Sequence, residues 1–321
     1  MVRHSVFFHR QTVYFSREHS GFSLVLLTMK KIIIAGGTGL VGRHIRELAT
    51  GNYTVRVLTR NENTSDPDSI YWNPEKGVVP YHEISSADVV VNLSGESVNQ
   101  RWSSAAKERI LSSRTVSTAA LVDAINAADK SIHLINASAS GIYENSQELQ
   151  SETSILGNDF LAHVCRKWEA EASRLSDRHA LTIVRIGVVL DQHGGALQKL
   201  LPIFKLGLGS AIGSGKQWMS WIHAKDLGMA ILHLADKHCA GIYNLCAPMP
   251  VTNSEFGKAL ASALKKPYFL PPVPSFVLKI ITGEMSAIIL NSKKLNSQKL
   301  VDSGYTFQYP RIEGAMKDIV E

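Results

Sequence analysis

Three glycines spaced three residues apart carry the first chemical signal. The β-branched run Lys31-Ile-Ile-Ile-Ala35 leads directly into Gly36-Gly37-Thr38-Gly39-Leu40-Val41-Gly42. Such an order predicts a strand, a glycine turn and the start of a helix. The need for glycine is steric. Gly36 permits the tight turn, Gly39 lets the main chain approach a pyrophosphate, and Gly42 lets the helix pack close to the strand. Free N–H groups at the helix N-terminus then face the anion. The spacing G-x-x-G-x-x-G departs from the better-known G-x-G-x-x-G. A glycine-rich turn of any α/β protein is the plain alternative, and the position at the first strand–helix junction of an alternating chain argues against it.

The end of the second strand bears on which anion is held. In Val-Arg-Val-Leu-Thr59-Arg60 a hydroxyl and a guanidinium stand where a site for an unphosphorylated ribose would place Asp or Glu. An Arg there can receive a 2′-phosphate through charge-assisted hydrogen bonds. One such bond is worth about 1.5–3 kcal/mol, or roughly 10- to 100-fold in affinity. NADP(H) is therefore the expected cofactor, against the alternative of a solvated surface Arg.

Two further residues could move protons. Tyr143 lies in a loop after an apolar run ending at Ser138, and loops at the carboxyl edge of an open α/β sheet carry chemistry. Without a nearby cation its phenol stays protonated at neutral pH, which suits an acid or hydrogen-bonding role or a structural one. His223, in Trp-Ile-His-Ala-Lys-Asp226, titrates near neutrality and is a substrate-binding candidate or a loop anchor.

These residues need a scaffold, and the pattern from Met29 onward supplies it. Candidate strands at Lys31–Ala35, Thr54–Leu58, Asp88–Leu93, Ile132–Ser138 and Leu181–Val188 alternate with candidate helices near Leu40–Thr50, Ser103–Ala127 and Asp159–Leu175. Runs such as VVVNL and TIVRIGVVL are apolar on both faces, which fits a parallel sheet buried between helix layers. Right-handed crossovers then give an α/β fold with a doubly wound, Rossmann-like sheet and a smaller C-terminal substrate lobe. Thr252-x-x-Glu255 is a capping box opening a helix through Leu264. Pro267, Pro271, Pro272 and Pro274 mark a linker, so residues 29–267 are read as the main domain and 268–321 as a small appendage.

Composition excludes several classes. With 321 residues, 45% hydrophobic and 19% charged, the chain is not broadly disordered. Its three cysteines, Cys165, Cys239 and Cys246, form neither a disulfide framework nor a zinc pattern, so no metal is expected and a reduced, cytoplasmic setting is. The formal net charge of +6 favours anionic ligands, but no basic stripe with interleaved aromatics points to nucleic acid. No apolar run approaches the roughly 20 residues of a membrane helix. Residues 1–28, with Arg3, Arg10 and Arg17 against the single acid Glu18, have the composition of a targeting peptide or of an extension upstream of a start at Met29. The second reading is preferred, because no small-residue cleavage site separates GFSLVLL from the first core strand. The segment is expected to be poorly ordered.

Several segments together resemble the extended short-chain dehydrogenase/reductase superfamily: GGTGLVG, VVNLSGE (Val90–Glu96), ASASGIY (Ala137–Tyr143), RIGVVL (Arg185–Leu190) and WIHAKDLGMAI (Trp221–Ile231). FLAHVCRKWE (Phe160–Glu169), GSGKQWMSWIHAKD (Gly213–Asp226), the tail run PVPSFVLKIITGEM and SGYTFQYP (Ser303–Pro310) are similar to an atypical branch, the epimerase family proteins related to NAD-dependent epimerase/dehydratases. The resemblance runs from Met29 to about Val320. It implies that Gly36 through Gly42 cradle the phosphates and that Thr59 and Arg60 hold the adenosine phosphate. It also implies main-chain contacts from Leu93 and Ser94, a contact from Arg114, and Val189 near the nicotinamide end. Arg114 as a solvated helix residue, and Leu93 and Val189 as core, are the plain alternatives. The tail resembles the small C-terminal domain of this branch.

One feature of the superfamily is missing. A typical member carries Tyr-x-x-x-Lys on a helix, one turn apart on one face. None of the nine tyrosines here is followed by Lys four residues on; after Tyr143, for instance, that position is Gln147. The matching segment reads Cys165-Arg-Lys-Trp-Glu169, with Cys165 and Trp168 expected to be buried. Ser138 stands in the place of the superfamily's catalytic Ser, with a satisfied strand-end hydroxyl as the alternative. The resulting expectation is an NADP(H)-dependent oxidoreductase or epimerase acting on a small carbonyl or alcohol. The competing one is a non-catalytic NADP(H)-binding sensor or scaffold.

Overall fold

The computed structural model describes residues 29–321 with their side chains; before them it describes only the backbone of strands Ser5–Phe8, Gln11–Glu18 and Gly21–Thr28. Those three pair antiparallel with one another and not with the central sheet. The expectation that residues 1–28 are poorly ordered falls on a segment whose side chains and connecting residues lie outside the described ones.

The central sheet begins with β1 (Lys30–Ala35), whose Ile32, Ile33 and Ile34 are all fully buried. Burying one such side chain contributes about 1.5–3 kcal/mol. Next come α1 (Leu40–Ala49), β2 (Tyr53–Thr59), β3 (Ser69–Tyr71) and β4 (Val89–Asn92). The chain goes on through α2 (Ser104–Asn126), β5 (His133–Ala139), α3 (Phe160–Ala172) and β6 (Ala180–Ile186). It continues with β7 (Val188–Asp191), α4 (Gly195–Lys205), β8 (Trp221–His223), α5 (Ala224–Asp236) and β9 (Gly241–Leu245). Seven strands lie in the order β9-β6-β5-β4-β1-β2-β3, and every pair is parallel. The order reverses between β1 and β4, and a ligand crevice forms outside the strand ends at such a switch point.

Two expectations need correction. The strand read as Leu181–Val188 stops at Ile186, and β7 leaves the sheet to pair with β8. The break is at Gly187, where a Cβ would lie 2.5 Å from the Ser220 carbonyl oxygen. β3 and β9 also join the sheet, and neither was anticipated.

Beyond the sheet, α6 (Asn253–Ala263) starts at the anticipated capping box: Glu255 N donates to Thr252 Oγ1 at 3.2 Å, and Thr252 N donates to Glu255 Oε2 at 2.7 Å. The last helix, α7 (Ile312–Val320), packs on α6 in one cluster with Leu190, Leu201 and Trp221. Leu300 and Tyr305 enter the main core. Residues after 268 thus share cores with the rest of the chain. No described helix is long and apolar enough to cross a membrane.

Candidate functional site

The glycine turn has the geometry of an anion cradle. Gly36 has φ +82°, and a Cβ there would lie 2.9 Å from the Leu93 carbonyl carbon and oxygen. A Cβ on Gly42 would lie 2.5 Å from the Gly36 carbonyl oxygen, so α1 and the turn touch through main-chain atoms. Gly39 caps α1, with no side-chain cap and no acid in the first turn. The first amides of the helix are left for a ligand.

A cleft of about 230 Å³ opens over this turn, walled by Gly36, Thr38 and Gly39 on one side, Thr59 and Arg60 on a second, and Leu93 and Ser94 on a third. Arg60 is exposed and Thr59 is buried, its Oγ1 accepting from Asn61 N at 3.1 Å. Buried Asn92 fixes the third wall: its Oδ1 accepts from Ser94 N at 3.1 Å, and its Nδ2 donates to Thr118 Oγ1 at 2.8 Å and Asn136 Oδ1 at 2.7 Å. Leu40 in the first turn of α1 meets the loop after β7, where a Cβ on Gly194 would lie 2.8 Å from Leu40 Cδ1. Val189 on β7 therefore lies close to the turn, while its side chain packs against the main core, as does Leu93.

Arg114 stands behind Ser94 and Gly95. Its guanidinium carbon is 5.1 Å from the Trp168 ring centroid, and Nη1 donates to the Ile110 carbonyl at 2.8 Å. Burial lowers its pKa, opposed by Cys165 and Glu96. It has no ion-pair partner among the described residues, so this half-buried cation suits an anionic ligand.

A second polar group lies under the carboxyl end of β5. Buried Ser138 donates from Oγ to Glu169 Oε1 at 2.6 Å. Arg185 holds the same carboxylate twice, Nε to Oε1 and Nη2 to Oε2, each at 2.9 Å. Its Nη1 reaches the Tyr143 hydroxyl at 3.0 Å, and that hydroxyl donates to Asn244 Oδ1 at 2.6 Å. Tyr143 is fully buried; burial pushes its phenol up to about 12, with Arg185 opposing. Cys165 is pushed up to about 11 by burial and then by Glu169. The thiol is a poor nucleophile at neutral pH. Trp168 is buried as expected and donates to Thr118 Oγ1 at 2.9 Å.

His223 goes elsewhere. Its Nδ1 caps α5 by accepting from Lys225 N at 3.1 Å, and its ring stacks on Tyr309 at 4.1 Å. Nε2 is 3.3 Å from Asp318 Oδ2 without hydrogen-bond alignment. Burial lowers its pKa. The side chain ties β8 to α7. Residue patterns missed the Arg185 and Asn244 partners, although a lone Arg inside the apolar run TIVRIGVVL already demanded a buried carboxylate.

Comparison with known proteins agrees with this geometry. Residues 32–246 match the model of the NAD dependent epimerase/dehydratase family, and residues 273–319 match a domain of unknown function, DUF1731. The chain is 35% identical over 305 residues to the chloroplastic epimerase family protein SDR39U1 homolog of Arabidopsis thaliana, covering 90% of this chain and 86% of that one. It is 35% identical over 300 residues to an epimerase family protein of Staphylococcus aureus strain MRSA252, covering 91% and 99%. The structure of human epimerase family protein SDR39U1 (isoform 2) with NADPH superposes with a TM-score of 0.81 at 31% identity, covering 90% of this chain and 98% of that one. On the strength of the matched model and these relatives, the chain belongs to the NAD dependent epimerase/dehydratase family.

Proposed function

We propose that the chain binds NADP(H) in the cleft at the switch point and serves as an oxidoreductase or epimerase for a small carbonyl or alcohol compound. The observation that carries the reading is the convergence on one cleft of the glycine turn, the Thr59–Arg60 strand end and the Leu93–Ser94 main chain. The human relative solved with NADPH supports the same cofactor. Gly36 through Gly42 would hold the pyrophosphate, Thr59 and Arg60 the adenosine phosphate, and Arg114 a further anionic or ribose oxygen. A nicotinamide dinucleotide supplies hydride chemistry when bound. The chain itself would position the ligand with Val189 and Leu93, and Ser138, one residue before the end of β5, would offer its hydroxyl oxygen to the substrate. The three free cysteines support a reducing, cytoplasmic setting.

A second reading, an NADP(H)-binding sensor or scaffold, is favoured by one specific observation: the hydroxyls of Ser138 and Tyr143 already donate to buried partners. Following NADPH fluorescence against a panel of carbonyl compounds, with Ser138→Ala as control, separates the two. Turnover that Ser138→Ala abolishes supports the enzyme. Tight NADPH binding with no oxidation across the panel supports the sensor.

A further inference from the structure

We propose that Lys293, delivered by the C-terminal region, is a ligand-binding cation at the carboxyl edge of the sheet, and that the compound it takes carries an anionic oxygen group beside its carbonyl or hydroxyl. The proposal rests on the cofactor reading above and gives the matched domain of unknown function a part in the site.

The segment bearing Lys293 is clamped from both sides. Ser292 N donates to Asn145 Oδ1 at 2.7 Å, and Ser292 Oγ accepts from Trp218 N at 3.0 Å. Lys293 N donates to the Trp218 carbonyl at 3.0 Å, and Leu295 N donates to Ser220 Oγ at 2.7 Å. Lys294 and Leu295 also pair with Leu149 and Gln150. The arm is thus held by its main chain and has no need of a charged side chain as a strap.

The ammonium is placed beyond the carboxyl end of β5, the strand that carries Ser138. Lys293 Nζ donates to the carbonyl of Tyr143, the first residue past the turn that follows β5. An ammonium has three donors, and that contact uses one. It is half-buried and has no ion-pair partner among the described residues; Asp159 and Glu144 act on it only from farther off. Burial draws its pKa below that of an ordinary lysine. Cys165 on α3 packs in one buried cluster with Tyr143, the residue whose carbonyl Lys293 reaches. Arg114 lies against Trp168 of α3, and Lys293 against the Tyr143 loop that packs on Cys165 of the same helix. Two cations without ion-pair partners among the described residues thus lie near α3. A desolvated cation without a counter-ion is costly to hold, and an anionic ligand offsets that cost.

The test uses the full chain saturated with NADPH and three probes: pyruvate, dihydroxyacetone phosphate and uncharged acetone. Binding is read by saturation-transfer NMR for wild type, Lys293→Met and Lys293→Arg, with NADPH affinity measured for each. At least one anionic probe is expected to bind wild type and to weaken about 10-fold in Lys293→Met, the loss of one charge-assisted bond. Lys293→Arg should restore it, and acetone should not distinguish the proteins. Which anion binds separates carboxylate from phosphate. Acetylation of Lys293 in wild type, followed by mass spectrometry, should be slowed by the same anion, a readout that survives a misfolded variant. Binding of neither anion to wild type, or equal binding to Lys293→Met, overturns the proposal while leaving NADPH binding intact. Failure of wild type to bind NADPH overturns both readings.

Discussion

Ser138 and Glu169 are joined by a 2.6 Å hydrogen bond in which the hydroxyl donates and the carboxylate accepts. Because Arg185 occupies both oxygens of Glu169, the carboxylate is fixed and the Ser138 proton is committed to it. The serine oxygen keeps acceptor capacity for a ligand. The Glu169–Arg185 pair thus sets which way this hydroxyl points, and it links α3 to β6 beneath the site.

Breaking that pair on one side leaves a buried charge unpaired. Arg185→Met is expected to cost about 3–5 kcal/mol in urea denaturation. The double variant Glu169→Met/Arg185→Met should recover much of the loss, since no bare charge remains. Losses that simply add would contradict the pairing.

The glycine turn tolerates no side chain at Gly42, where a Cβ would meet main-chain atoms at 2.5 Å. Overpacking of this kind costs about 1–3 kcal/mol and must open the turn. Gly42→Ala should weaken NADPH binding roughly 10- to 100-fold. Gly51 offers a control: its φ is +91° but nothing lies within 4 Å of a Cβ. Gly51→Ala should lower the Tm and leave NADPH affinity unchanged in a fluorescence titration.

Arg114 separates binding from stability. Among the described residues its guanidinium hydrogen-bonds only the Ile110 carbonyl, and burial works against its charge. Arg114→Met is expected to weaken NADPH about 10-fold, the loss of one charge-assisted bond. The Tm should hold or rise, because the charge was desolvated without a counter-ion. A falling Tm with unchanged affinity would make Arg114 structural.

Acid sensitivity should trace to His133. The ring is buried, its Nε2 is 2.7 Å from Thr182 Oγ1, and burial followed by the neighbouring His238 lowers its pKa to about 4. The unfolded chain, with an ordinary histidine near 6.5, binds the proton first, so stability is complete above that value and falls as pH drops from about 6.5 towards 4. The full span is about 3 kcal/mol. Urea midpoints for wild type and His133→Gln across that window check it: the variant should show the shallower slope.

Local chemistry was legible in the residues, and partnerships were not. The glycine turn and the Thr252 capping box each lie within a few consecutive residues, so spacing alone reveals them. β3, only three residues long, is too short to show a periodicity. The split at Gly187 depends on the Ser220 carbonyl, which no pattern around Gly187 reveals. Arg185 announced a missing carboxylate, yet only the fold shows that Glu169, on another element, supplies it. Lys293 sits in the polar run Asn-Ser-Lys-Lys-Leu-Asn, which reads as solvated until the main chain is seen to be clamped.

The most direct test of the account is a titration of wild type and Arg60→Asp with NADPH and with NADH. Wild type should prefer NADPH, and Arg60→Asp should lose roughly 10- to 100-fold in NADPH affinity with little change for NADH. Equal NADPH affinity in the two proteins would contradict it, because the exposed guanidinium at the cleft wall would then hold no phosphate.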